Sequence, residues 1–175
     1  GLPVTAERME GTLSAVGQGA HLKKFDGGLE LGPVASGPWH IPSVNVKAET
    51  LEEGAHRFSL ASSEDLLKGT VTLDPSLATY EGQFEVNCQS LASLQPEAIE
   101  AEQFSGAISV VWSGDGNVSE WEHHGKVTAR GNNVGPATSE LLYQADIEAS
   151  YAGAEIEIQK LEVVLDDMRL VAEAK

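Results

Sequence analysis

The chain has 175 residues, with 27 Asp+Glu against 11 Lys+Arg and a formal net charge of -16. That length fits one domain able to bury a core, while so acidic a surface argues against binding nucleic acid or docking electrostatically on an anionic membrane. Cys88 is the single cysteine, which excludes an internal disulfide and any Cys-based zinc site, and no stretch reaches the ~20 apolar residues of a membrane-spanning helix.

Taken in chain order, the elements read as strands. Short ones are expected at Glu10–Val16, Gly28–Gly32, Ser43–Thr50 and Arg57–Ala61, punctuated by Gly27-Gly28, Gly32-Pro33 and Gly37-Pro38. Alternation then becomes regular. Leu67, Gly69, Val71 and Leu73 oppose Lys68, Thr70, Thr72 and Asp74; Tyr80, Gly82, Phe84, Val86 and Cys88 oppose Glu81, Gln83, Glu85, Asn87 and Gln89. Apolar groups on one parity and charged groups on the other mark half-buried strands. Ser90–Ala98, "SLASLQPEA", is the one segment that reads as a short helical turn, with Ser90 as its N-cap. A weaker strand follows at Ile99–Phe104.

From Ile108 to Arg130 the sequence "ISVVWSGDGNVSEWEHHGKVTAR" reads as a hairpin. Ile108, Val110 and Trp112 share a parity, as do Trp121, His123, Val127 and Ala129. Ser113–Ser119 is then the connection, with Asp115-Gly116 suited to a tight type I′ turn or the loop opened further to pair Trp112 with Trp121. Either choice puts both tryptophans on the apolar face. His123 and His124 are adjacent in a strand, so they point to opposite faces and cannot share a metal ion. Leu141–Tyr151 alternates as a strand, because a helix would splay Tyr143 and Ile147 away from Leu142 and Ala149. Ala154, Ile156 and Ile158 alternate with Glu155, Glu157 and Gln159, and strands close the chain at Lys160–Leu165 and Arg169–Ala174.

Nothing catalytic stands out. Asp115, Asn117 and Ser119 are spaced like calcium ligands, but Glu120 occupies the glycine place and Lys126 the final carboxylate place of such a loop. Asp166-Asp167 reads as a turn. "GQGAHL", Gly17 to Leu22, lacks the third glycine of a dinucleotide loop, and no Gly-Lys-Ser/Thr, His-Glu-x-x-His or G-x-S-x-G motif occurs. Asn117-Val118-Ser119 is a formal glycosylation sequon, meaningful only in a eukaryotic secretory setting. Cys88 reads as a buried, inert thiol, and His21, His40 and His56 as solvated side chains. No catalytic residue, metal site or cofactor is expected.

No composition break divides residues 1–175, so one all-β domain is expected. Its strands carry one apolar face, yet no amphipathic helix is long enough to cover a sheet. The sheet must fold on itself as a sandwich or barrel, or curl into a trough that holds something apolar. The residues concerned are Val71, Leu73, Phe84, Val86, Ile108, Val110, Trp112, Trp121, Val127, Tyr143, Ile147, Ile156 and Ile158. Periodicity alone is satisfied if they fill a closed β-sandwich core. A sandwich could serve as a carbohydrate-binding or adhesion module, although its aromatics, 6% of residues, lie mostly on the apolar parity.

The segment "TVTLDPSLATYEGQFEVNCQSLASLQPEAIEAEQFSGAISVVWSGDGNVSEWEHHGKVTARG" resembles the repeating units of the AsmA-like and TamB-like proteins of Gram-negative envelopes. The resemblance rests on a strand ending in a leucine-bearing turn, "NCQSLASLQP". A "sG.is" strand follows at Phe104–Ser109, then a "G.v.a.g" strand at Gly125–Gly131. The closing "IEIQKLEVVLDDMRLVAEAK" looks like that family's paired strands. The resemblance implies an elongated sheet curled into a trough (β-taco-like) with an apolar inner face, lined by the thirteen residues just named. It further implies a non-enzymatic conduit for phospholipid acyl chains, tethered in the periplasm by an inner-membrane anchor and serving outer-membrane biogenesis beside an outer-membrane β-barrel. The chain begins at Gly1 without a methionine or signal peptide, and on this reading is an internal piece of a longer protein.

Overall fold

The computed structural model describes residues 4–18, 21–36, 39–51, 54–95, 103–138, 143–165 and 168–172. Among these residues there are fourteen strands: β1 Val4–Ala6, β2 Met9–Gln18, β3 His21–Leu31, β4 Val34–Ser36, β5 Trp39–Ile41, β6 Val44–Thr50, β7 His56–Ser62, β8 Leu67–Asp74, β9 Thr79–Cys88, β10 Phe104–Asn117, β11 Glu122–Pro136, β12 Tyr143–Ala152, β13 Glu155–Leu165 and β14 Met168–Ala172. Eleven of them form one sheet in the order β14-β13-β12-β11-β10-β9-β8-β7-β6-β3-β2, and β1, β4 and β5 form a small second sheet. Every pairing is antiparallel. The fold is all-β: an elongated, open antiparallel sheet whose outer strands, β2 and β14, do not meet. A second sheet stacked on its apolar face, which a β-sandwich requires, is absent among the described residues.

Directly paired residues share a face, so the register carries each strand's alternation across the whole sheet. Trp112 pairs with Phe84 on one side and Val127 on the other, and the same row runs through Leu60, Val46 and Leu29. One bulge keeps the pattern in step. Ala149 pairs with Ile158 but Ile147 with Leu161, leaving Gln159 as the extra residue, so the apolar parity changes from even to odd along β13 without leaving its face. The two expected strands at 154–159 and 160–165 are therefore one. β12 is described from Tyr143 onward; 141–142, 99–102 and the Asp166-Asp167 turn lie outside the described residues.

The polar face carries the ion pairs. Lys68 meets Glu85 at 2.9 Å, Lys126 meets Glu148, and Lys160 lies between Asp146 and Glu162. Lys160 holds the Asp146 carboxyl below its usual pKa, and Asp146 raises that of Lys160 in return.

Two expectations about connections are corrected. The helical turn is a 3-10 turn over Leu91–Leu94, and residues 96–98 of the expected segment lie outside the described residues; Ser90 is extended and makes no side-chain cap, while the Ser93 hydroxyl donates to the Ser90 carbonyl at 2.7 Å. Pro96 in the sequence removes an amide donor just beyond it, which shortens any helix there. A second 3-10 turn, Ser63–Asp65, was not foreseen. The hairpin turn is also displaced. Asp115 and Gly116 lie inside β10, paired with His124 and His123, and the loop is 118–121. Asn117 Oδ1 accepts from the amides of Ser119 and Glu120 at 2.8 and 3.1 Å, so an Asx turn takes the place of the Asp-Gly turn.

Candidate functional site

The apolar face is the candidate site. None of its positions in the eleven strands is an Asp, Glu, Lys or Arg among the described residues. It is also uncovered over most of its area. Among the described residues only Val44, Ala48, Leu66, Cys88 and Leu91 are buried apolar side chains, whereas a closed core would bury most inward positions of every strand. The accessible surface is 11623 Å² for 18.5 kDa, against about 8200 Å² for a compact chain of that mass.

Large rings lie over glycines on this face. A Cβ at Gly69 would meet the Phe84 ring at 2.1 Å; one at Gly82 would lie 3.1 Å from Trp112; one at Gly125 would lie 2.4 Å from the Tyr151 hydroxyl. Gly82, Gly114 and Gly125 stand in one row, and that row is the space the neighbouring indole and phenol occupy. Phe84 and Trp112 pack with rings tilted by 30° and centroids 5.3 Å apart, and Trp112 Nε1 donates to the Tyr151 hydroxyl at 2.9 Å. This packing fixes the β10–β11 register against the shorter Asp-Gly turn.

One end of the strands is plugged. Leu91 of the 3-10 turn packs with Leu66 and Cys88, joined by Trp39, Val86, Leu94, Ile108 and Val134. Gln95, 1% exposed, accepts the Phe104 amide through Oε1 at 2.8 Å. Cys88 is thus the buried thiol expected, 4% exposed. The opposite end has no such apolar cluster among the described residues. Its last row on the apolar face runs Thr50, His56, Leu73, Tyr80, Gly116 and His123. The Tyr80 hydroxyl lies 3.0 Å from His123 Nδ1, and Thr50 Oγ1 lies 3.1 Å from His56 Nδ1. Desolvation, with Tyr151 and Asp115 nearby, pushes the Tyr80 pKa up.

Of the thirteen sequence candidates, Val71, Leu73, Phe84, Val86, Ile108, Val110, Trp112, Val127, Tyr143, Ile147, Ile156 and Ile158 take the apolar parity. Tyr143 is 44% and Ile156 76% exposed, toward the β13–β14 side. Trp121 is a correction: it is the last residue of the 118–121 loop, in the left-handed region at φ 55°, and 79% exposed. Alternation cannot place a residue whose backbone has left the strand. It touches the face only through its edge-on contact with His123, centroids 6.2 Å apart. His56 is the opposite case. Instead of being solvated it is buried, because β7 begins one residue earlier than expected and sets it inward. His40 is half-buried in β5, and His124 turns to the polar face while His123 turns to the apolar one.

A concavity of about 1080 Å³ lies on the polar side. Thr70, Thr72, Gln83, Ser113, Asn117 and Lys126 line it together with Asp74, Glu81, Asp115, Glu122 and His124, where Gly82, Gly114 and Gly125 contribute backbone. No group of three or more His, Cys, Asp or Glu is placed to hold a metal ion among the described residues. No family model, curated protein or solved structure matches the chain.

Proposed function

We propose that the chain is a lipid-conduit segment without enzymatic chemistry, sheltering phospholipid acyl chains on its apolar face. The observation that carries this reading is a face of eleven strands with no charged side chain and, beyond the Leu91 plug, no protein cover among the described residues. Soluble proteins rarely leave so large an apolar surface bare unless something occupies it. An acyl chain fits the chemistry: each buried methylene contributes about 0.8 kcal/mol, on the order of 12 kcal/mol for sixteen carbons before ordering costs. The resemblance to AsmA-like and TamB-like repeats supplies the setting, a periplasmic bridge tethered to the inner membrane and working with an outer-membrane β-barrel. The ligand would complete a trough that the sheet alone leaves open.

Native mass spectrometry of the purified chain tests the reading. Phospholipid co-purifying in defined stoichiometry is expected. A ligand-free monomer that neither extracts nor exchanges phospholipid overturns it.

The polar concavity favours a second reading, a carbohydrate-binding surface, since hydroxyl and amide side chains line it. Trp121 and Trp112 do not belong to that lining, so a stacking platform for sugar rings is missing there. Chemical-shift changes confined to Thr70, Gln83 and Ser113 on adding oligosaccharide would select this reading over the first.

A further inference from the structure

The apolar face is not uniform along its strands, and the difference gives a bound lipid a direction. Resting on the conduit reading, we infer that the lipid lies across the strands' length with its headgroup at the Tyr80–His123 rim and its tails toward the Leu91 plug.

Strand positions on this face from the Cys88–Ile108 row to the Phe84–Trp112 row are apolar or glycine except Ser62, whose hydroxyl accepts the Leu67 amide at 2.8 Å, and the plug packs against their far end. Polar groups gather in the last row instead, at Thr50, His56, Tyr80 and His123. From Cys88 to Tyr80 is eight residues, about 27 Å at strand rise. That exceeds the ~15 Å depth of one leaflet's hydrocarbon, so extended tails fit between plug and rim. An amphiphile with a single polar end matches this gradient. An acidic or basic peptide does not, because no charge on the face answers it.

The rim also has donors for a phosphate. When the Tyr80 hydroxyl donates to His123 Nδ1, the imidazole proton sits on Nε2 and can be donated to a ligand oxygen. The acidic side chains nearest in sequence, Glu81, Asp115 and Glu122, lie on the opposite parity.

Three tryptophans stand at three depths along this path: Trp121 in the rim loop, Trp112 four residues inward from the Gly116 row, and Trp39 at the plug. The test loads single-tryptophan forms of the whole chain from phosphatidylcholine vesicles brominated either beside the acyl carbonyl or near the chain end. The expected result is greater fluorescence loss of Trp121 with carbonyl-side bromine, and of Trp112 and Trp39 with chain-end bromine. The reverse order, or equal loss at all depths, overturns the orientation while leaving the conduit reading standing. No loss at any tryptophan, with the chain a face-to-face dimer, overturns both. Because Trp39 packs in the plug, the difference between the native chain and Trp121→Phe reads the rim signal without disturbing it. Tyr80→Phe with His123→Leu is expected to abolish preference for phosphatidylcholine over diacylglycerol of the same chains; retained preference overturns the role of the rim.

Discussion

Gly114 shows how a single residue holds the site in shape. A Cβ there would come within 2.7 Å of the His124 carbonyl oxygen, 2.8 Å of the Trp112 ring and 2.9 Å of the Tyr151 hydroxyl. Gly114→Val is therefore expected to cost about 1–3 kcal/mol, the range for overpacking, and to shift Trp112 emission as its bond to Tyr151 breaks; urea unfolding followed by fluorescence measures both. Asp146 and Lys160 supply a second residue-scale outcome. The Asp146 pKa is lowered from 3.8, chiefly by its hydrogen bond to Lys160, so its contribution is present above that value and lost as pH falls through the lower folded one. Lys160 is raised from 10.5 by the same partner, so its share persists to that value and is lost as pH climbs past the folded one. Asp146→Asn should lower stability at neutral pH by an amount that shrinks on acidification below 3.8, as denaturant titrations at stepped pH would show. At this scale the apolar parity of Phe84, Val110 and Trp112 was legible, since alternation is a property of each strand by itself. Trp121 was not, because its left-handed φ is set by the loop, and His56 was not, because its inward turn depends on where β7 begins.

Two hairpins are built alike. β8 and β9 are joined by 75–78, β10 and β11 by 118–121; an Asx residue, Asp74 or Asn117, precedes each loop, and a non-glycine residue with positive φ, Ala78 or Trp121, ends it. Asp74 Oδ1 accepts from the Ser76 amide, the Ser76 hydroxyl and the Leu77 amide, and the Val118 amide donates to the Ala78 carbonyl, tying the two tips together. Asn117→Ala removes two side-chain acceptor bonds from exposed amides. A loss of about 1 kcal/mol is expected, with faster amide exchange at Ser119 and Glu120 and at the linked Val118; unchanged exchange there would show that the loop does not depend on the Asx turn. The sequence held this signal, an Asx residue followed two places later by serine in both hairpins. Asp115-Gly116 masked it by offering a stronger local turn dipeptide. Register settles such a contest, and here it follows from the rings over Gly82, Gly114 and Gly125, a cross-strand arrangement no single strand displays. The plug was half legible: the leucine-bearing turn could be read, but its contacts with Leu66, Cys88 and Trp39 join segments remote in sequence.

For the whole molecule, the question is whether the apolar face meets water and ligand or belongs to an enclosed core, and Ile147→Asp separates the two. Ile147 lies between Ala129 and Leu161 and is half-buried, with no second layer of strands over it among the described residues. Losing that partial burial should cost about 1–3 kcal/mol, within the 5–15 kcal/mol that sustains a typical domain. On an open face the new carboxylate reaches water from above, so the fold persists and thermal melting falls modestly. Under a protein cover it would be an unpaired buried charge, and the domain would unfold. The two cases also differ in lipid capture, because a carboxylate standing in the path of an acyl chain must be desolvated whenever the chain binds. Photo-crosslinking to bound phospholipid should therefore fall sharply in Ile147→Asp while melting is largely retained. Ile156→Asp is the graded control: at 76% exposure near the β13–β14 side, it should barely move melting and should reduce crosslinking less. A collapsed fold in Ile147→Asp would mean that something other than lipid covers the face, whereas full crosslinking in both variants would place the acyl chain elsewhere on the molecule.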